Sequence, residues 1–336
     1  MTRRGLGSWA LALALAALAV GCKGRERPAP AKVAGLAAVP ASATAVVSIS
    51  VPRVAASPLV QRAVERLLLQ DQELALRWQR LREGCKLDIV ASVKQVVLAL
   101  GPSGPTGAPV LMVVTGDLAE SELAACVRTV VGAGGGTLSA KTSEGRTLYQ
   151  AKDGDRTVWF GFGRADTVVL SSNEAFVVEA LSTGQKLEAN RELSGYLELV
   201  DQRASIWATG QVEPAVAERV LAPSAGALRA GPRGFALSAD VTTGASLTFE
   251  AVMASEDDAK ALELLAKQQI GLLAMVAQAK GLGRVVGKVK TSVTGKVAGV
   301  SAALDPTEIN QLLSAVDSAT RGSQDAPPAA PSQPRP

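Results

Sequence analysis

The feature that most constrains the fold is an order of strand-forming and helix-forming segments that occurs twice along the chain. In the first half, a strand-like segment at 45–51 precedes amphipathic helical segments, a two-strand hairpin, another helix, several strands and a further helix. The second half repeats this order from 203 to 321 with different residues. Since strands joined by short turns pair antiparallel, we predict an α+β fold: a duplicated unit of antiparallel sheet packed with helices.

Helix ends are marked by capping residues. Ser57 followed by Pro58 predicts an N-cap and a first helical position, and the following helix is expected to bury one apolar side. The apolar residues of this side are Leu59, Val60, Ala63, Val64, Leu67 and Leu68. A second helix is expected to bury Leu74, Trp78 and Leu81. The spacing of Asp117 and Glu120 predicts a capping box for the helix after the first hairpin. Residues 284–293 are expected to form a strand, and 184–202 a connecting helix.

The N-terminal segment has the composition of an export signal. Arg3 and Arg4 precede a short apolar run, which ends at Gly21 and Cys22. The sequence from Leu18 to Cys22 resembles a lipobox, which implies removal of residues 1–21 and attachment of diacylglycerol and a palmitate-like acyl group at Cys22. Because the next residue is Lys23 rather than the Asp of inner-membrane lipoproteins, we expect a lipid-anchored protein of the outer membrane that faces the periplasm. An ordinary cleaved signal with an unrelated cysteine is the alternative.

The rest of the chain divides by composition. Residues 22–40 are rich in Pro, Ala and charge and are expected to form a tether. Two α+β units, 41–184 and 203–321, are expected to follow, joined by the helix at 185–202. Residues 322–336 are polar and Pro-rich and are expected to be disordered.

Two further cysteines, Cys85 and Cys126, form an even number in a chain expected to enter an oxidising compartment. The helical period of the segment around Cys126 places its side chain toward the core. A disulfide between the two cysteines and a pair of buried free thiols both remain open as interpretations. A metal site is not expected, because two cysteines without histidine do not complete a ligand set.

Several short motifs resemble a group of predicted lipoproteins of unknown function that is abundant in myxobacterial-type genomes. These motifs are Val39–Val51, Ser57-Pro-Leu, Gly84-Cys-Lys-Leu-Asp88, Ala125-Cys126 and Ser205-Ile-Trp207. The present chain has Lys86 where such proteins often have Gly after the first cysteine. The resemblance implies an envelope lipoprotein with paired cysteines, and it brings no catalytic residues.

Composition removes several classes of function. The chain has no histidine, so it lacks the commonest general base and metal ligand. Aromatic residues are 3% of the chain, and 35 Lys and Arg nearly balance 31 Asp and Glu, so no nucleic-acid surface is expected. No acyl-enzyme motif is present. The glycine run at 132–136 fits a helix stop. The acidic run at 256–258 fits a helix N-terminus, for which Ser255 is the expected N-cap.

Two clusters of side chains admit a binding role. Arg284, Lys288 and Lys290 share strand parity and could present a basic face to lipid headgroups, although a solvated sheet face explains them equally well. Aromatic residues at 159, 160 and 162 are expected in the core.

We therefore expect a non-enzymatic envelope lipoprotein, without cofactor, that binds a protein partner or serves a structural role. The alternative is a periplasmic carrier of a lipid or another apolar ligand. A third alternative is an enzyme limited to carboxylate, Lys or Ser chemistry. A carrier requires an apolar cavity between sheet and helices, whereas a protein partner requires an exposed apolar patch.

The anchor is tested by replacing Cys22 with Ala. We expect Cys22→Ala to move the protein from the membrane fraction to the soluble periplasmic fraction, because several acyl chains give effectively permanent attachment. Mass spectrometry of the mature N-terminus provides the parallel measurement. Retention of the variant in membranes would contradict acylation at Cys22.

Overall fold

The computed structural model describes residues 33–85, 88–104, 107–224 and 226–314. The expected signal, Cys22, most of the tether and the C-terminal tail lie outside these residues. The described residues form one sheet of twelve antiparallel strands with helices on both faces, in the order β11-β12-β10-β9-β8-β1-β2-β3-β7-β6-β5-β4. The expected α+β class with antiparallel sheet is therefore confirmed.

The twelve strands are β1 (Ala45–Ser50), β2 (Val93–Leu100), β3 (Val110–Gly116), β4 (Thr137–Ser143), β5 (Arg146–Asp153), β6 (Arg156–Phe162), β7 (Thr167–Ser171), β8 (Ile206–Gln211), β9 (Gly234–Asp240), β10 (Ala245–Val252), β11 (Lys290–Thr294) and β12 (Val297–Leu304). The helices are α1 (Val51–Ala55), α2 (Pro58–Gln70), α3 (Gln72–Gly84), α4 (Ile89–Ser92), α5 (Glu120–Ala133), α6 (Glu174–Leu181), α7 (Arg191–Leu197), α8 (Pro214–Leu221), α9 (Glu256–Ala279), α10 (Gly283–Val286) and α11, which is described over 306–314. Short 3₁₀ turns lie at Gly35–Ala38, Leu187–Ala189 and Ala222–Ser224.

The two halves of the sheet meet where β1 pairs with β8, in a register that sets Ser48 opposite Trp207. Outward from this pair, the first half runs β1-β2-β3-β7-β6 and the second half runs β8-β9-β10-β12-β11. The order of strands and helices is thus the same in both halves, and β4 and β5 extend the first half at its edge. The strands of both halves belong to one sheet.

One face of the sheet, which we call the first face, carries the largest core. Val46, Val97 and Trp207 lie on this face and pack with buried residues of α6 and α7. Asn173 and Asn190 cap these two helices by accepting N–H bonds from Phe176 and Leu193. The central strands are therefore fully covered on the first face.

On the opposite, second face, the described helices pack toward the two sides of the sheet, and α1 contacts the end of β1 and β2. On one side, α5 contacts β4 and β5, and its Leu123 and Val127 belong to a cluster with buried residues of β2, β6 and β7. On the other side, α9 packs over β10, β11 and β12 through Ala259, Leu262 and Leu265. Ser255 caps α9 by accepting the N–H of Asp258 at 3.1 Å, as the sequence predicts.

The expected burial of the α2–α3 pair is wrong. Ser57 caps α2 as predicted, but α2 contains no buried residue. In α3, Leu74 is exposed and Trp78 is half-buried, and the side chain of Leu81 lies outside those described. Both helices have an apolar stripe, but among the described side chains neither stripe is buried in the core.

Three local predictions are also corrected. Asp117 does not cap α5, which begins at Glu120; its carboxylate pairs instead with Lys94 at 2.9 Å. Residues 283–286 form α10, so the strand expected at 284–293 is shortened to β11. The connecting helix expected at 184–202 is a 3₁₀ turn followed by the seven-residue α7. The strand β4, after the glycine run, was not expected.

Leucine truncation separates the core from the exposed helices. Leu193 in α7 is 0% exposed, whereas Leu69 in α2 is 82% exposed. We expect Leu193→Ala to lower the free energy of unfolding by about 2–5 kcal/mol and Leu69→Ala to change it by less than about 0.5 kcal/mol. Urea denaturation of both variants measures the difference. Similar losses in the two variants would contradict the assignment of the core to the first face.

Candidate functional site

The central part of the second face carries two rows of apolar side chains that run across seven neighbouring strands. Within each row, consecutive residues are register partners. The first row consists of Met112, Leu98, Val47, Ala208, Leu237, Phe249 and Val300. The second row consists of Val114, Val96, Ile49, Ile206, Ala239, Leu247 and Ala302. We call these fourteen residues the apolar sheet surface.

None of the residues of the apolar sheet surface is buried. Leu247 is 45% exposed and Phe249 is 40% exposed, and the others are half-buried. Six strand intervals of about 4.8 Å give the surface a length of roughly 29 Å. A continuous apolar area of this kind on the surface of a folded domain is typical of interaction sites.

The local sequence explains why the surface exists. In β2, Val97 and Ala99 point into the core of the first face, while Val96 and Leu98 point to the second face. A strand with one solvated face alternates apolar and polar residues, whereas a strand covered on both faces is apolar throughout. In β9 and β10 the residues alternate, and the apolar ones lie on the second face. The second face is therefore the one that this pattern favours as covered.

Helices border the apolar sheet surface on both sides. Beyond β3, α5 covers the sheet, and a disulfide between Cys85 and Cys126 holds the end of α3 against α5. Beyond β10, α9 covers β12 and β11. The surface thus lies in a trough between two helical walls.

The second half of α9 is apolar without being buried. Leu272 and Val276 follow the sheet-facing Leu265 by seven and eleven residues, so they continue the same stripe. In the first half of α9 this stripe packs on the sheet, but Leu272 is 54% exposed and Val276 is 58% exposed. α9 therefore extends beyond the strands on which its first half packs, and its second half exposes apolar side chains beside the trough.

The segment from the middle of α9 to the end of β12 is cationic. From 264 to 304 the chain contains six Lys and Arg residues and no Asp or Glu. Lys267 pairs with Glu263 at 2.8 Å, and Lys288 pairs with Glu308 at 2.5 Å. Lys280, directly after α9, is exposed.

Arg62 of α2 lies near this cationic segment. Its guanidinium Nη1 donates to Oδ1 of Asn310 in α11 at 2.9 Å. Asn310 also lines a cleft with Lys280. α11 follows directly after β12, which contributes Val300 and Ala302 to the apolar sheet surface. Arg62 and Lys280 therefore flank α11 next to one end of this surface.

One carboxylate at this end, that of Asp240, is already paired. Arg53 of α1 forms an ion pair with Asp240 at the end of β9. Hydrogen bonds from the Thr242 hydroxyl and N–H hold the pKa of Asp240 below its ordinary value, and Arg53 adds to this effect. Asp240 therefore stays ionised and bound.

Most residues singled out in the sequence have structural roles. The disulfide between Cys85 and Cys126 is present, with the Cα atoms 4.7 Å apart, and Cys126 points into the core as expected. Asp258 accepts hydrogen bonds from the Ser255 hydroxyl and the Arg229 N–H, which lower its pKa. Asp258 thus begins α9 and holds the loop that contains Arg229.

The basic strand face expected from Arg284, Lys288 and Lys290 is not formed. Arg284 lies in α10, Lys288 lies in the turn that follows, and only Lys290 lies in a strand. The aromatic residues behave as expected: Phe160 and Phe162 are buried, and Trp159 packs against the main core.

The described ranges contain no cluster of three or more His, Cys, Asp or Glu side chains that could hold a metal ion. Within the same ranges, no helix has both the length and the apolar character that crossing a bilayer requires.

No protein-family model matches the chain, and no curated protein matches it. A solved structure described as crystal form I of TP0453 is similar to 85% of this chain and 99% of that chain, with 10% sequence identity and a TM-score of 0.43. A likeness of this degree carries no argument about fold or function.

The disulfide predicts how the exposed helices respond to reduction. Its loop spans a sequence separation of 41 residues, for which chain-entropy arguments give about 3–4.7 kcal/mol of stabilisation. We expect reduction to lower the urea midpoint and to allow proteolysis first within α2 and α3, because the buried Cys85 fixes the end of this pair. Titration of thiols in denaturant without reductant is the direct check. Two reactive thiols from these positions would contradict the bridge.

Proposed function

We propose that the protein is a lipid-anchored protein of the cell envelope with a non-enzymatic binding role, and that it binds through the apolar sheet surface. The observation that carries the proposal is the pair of accessible apolar rows across seven strands. Leaving such an area in water is unfavourable by roughly 25 cal/mol for each Å² of apolar surface. The surface is therefore best explained by an occupant that removes it from water.

The proposed anchor supports this role. Acyl groups on Cys22 would keep the body next to a membrane, and the segment before the first described residues would act as a spacer between the two. A body held in this way can hold a partner or a ligand near the membrane without any chemistry of its own. A protein partner and an apolar ligand both fit this general role.

Photocrosslinking at neighbouring positions of β10 tests the binding role. Phe249 lies on the apolar sheet surface, whereas Thr248 is exposed on the opposite face of the same strand. We expect benzoylphenylalanine in place of Phe249 to form an adduct in intact cells, and the same group in place of Thr248 to form none. The adduct would be detected by a shift in mass of the protein.

The adjacent position serves as the matched control, because both residues belong to one strand and are equally accessible to light and solvent. Adducts of equal yield at both positions, or none at residue 249, would contradict binding at the apolar sheet surface.

A further inference from the structure

We propose that the apolar sheet surface binds the acyl chains of an anionic lipid, whose headgroup lies at the end formed by Arg62 and Lys280. This inference rests on the binding role proposed above and names the class of ligand. It follows from the chemistry of the surface, its dimensions and the charge at one end.

The chemistry of the surface matches hydrocarbon. Its fourteen side chains include no hydroxyl, amide or charged group. The backbone groups of these central strands are already engaged with neighbouring strands on both sides. A protein partner forms about one hydrogen bond for every 100–200 Å² of interface, and this surface offers almost none. An acyl chain requires none.

The apolar sheet surface is also long enough to hold acyl chains. The hydrocarbon core of a bilayer is about 30 Å thick, so a chain in one leaflet extends about 15 Å. The apolar sheet surface is roughly 29 Å long, and its two rows are two residues apart along each strand. Acyl chains can therefore lie across the strands in the open trough between α5 and α9, which is an exposed apolar patch and not the enclosed cavity required of a carrier.

The charge at one end specifies the headgroup. Arg62 and Lys280 are exposed, and both border Asn310. The carboxylates of Asp305 and Glu308 in the same region are paired with Lys288. A phosphate or carboxylate headgroup would therefore meet two cations beside the apolar rows, an arrangement that complements an anionic amphiphile.

The exposed stripe of α9 provides a route to the membrane. Leu272, Leu273 and Met275 are each more than half exposed, and Lys280 follows them on the chain. A helix with apolar residues on one side and cations at its end binds at the interface of anionic bilayers. The same end of the molecule would therefore contact the bilayer from which the lipid comes.

The test uses the full chain, attached through its own anchor to vesicles. One vesicle preparation contains phosphatidylglycerol with a diazirine at the end of one acyl chain, and the other contains the corresponding phosphatidylcholine. After illumination, mass spectrometry of peptides locates the labelled residues. We expect labelling by the phosphatidylglycerol probe on peptides from β1, β8 and β10.

Charge variants test the occupant. We expect Phe249→Glu to reduce this labelling about tenfold, because a buried charge opposes binding of hydrocarbon, and Thr248→Glu to leave it unchanged. Ala208→Phe, which fills the surface without adding charge, should also reduce labelling. Urea midpoints establish that each variant is folded. Arg62→Gln with Lys280→Gln should lower phosphatidylglycerol labelling to the level of phosphatidylcholine.

Labelling confined to regions outside these strands, or equal labelling of Phe249→Glu and Thr248→Glu, would overturn the proposal. Crosslinking of residue 249 to a protein, without labelling by lipid, would retain the binding role and refute the lipid. Loss of the full chain from the vesicles would instead refute the anchor. The failures of the two proposals are therefore distinguishable.

Discussion

The pairing of β1 with β8 is the interaction on which the rest of the structure depends. Each is the first strand of its half, and five register pairs join them from Ala45 to Ile49. Because every other strand is placed outward from this pair, the pairing turns two smaller sheets into one. It also creates a central region whose second face is apolar. α6 and α7 cover the middle of the first face, whereas on the second face the cluster that contains the α5 side chains reaches only Val96 and Val114 at one side of this region.

The openness of the second face follows from the lengths and positions of two corresponding helices. α5 has 14 residues and α9 has 24. At 1.5 Å per residue these lengths are about 21 Å and 36 Å, whereas an eight-residue strand spans about 27 Å. The shorter helix thus fits over its strands, and the longer one extends beyond them. Both helices lie toward the sides of the sheet, so these two helices leave the second face of the middle strands uncovered.

Local patterns predicted most of the elements but not what covers them. Hydrophobic period and caps such as Ser57 and Ser255 gave the right positions for most strands and helices, because these signals act within a few residues. β4 was missed because it is mostly exposed and so has no alternation to recognise. The stripe of α2 was recognised, but its burial depends on distant contacts.

The apolar sheet surface could not be assembled from the sequence, since its rows exist only once seven strands have their register. An excess of apolar residues on both faces of β1 and β2 was the available signal.

A sheet of twelve strands that does not close on itself has two edges, and each edge is a template on which another chain can add a strand. Here the edges are β4 and β11. Both carry mainly small polar residues and one lysine, Lys141 in β4 and Lys290 in β11. Lys141 is held by Glu174 and by the ring of Trp159, so its charge is fixed at the edge. A further strand at either edge would bury part of a lysine side chain, which disfavours edge-to-edge association while the apolar sheet surface stays accessible.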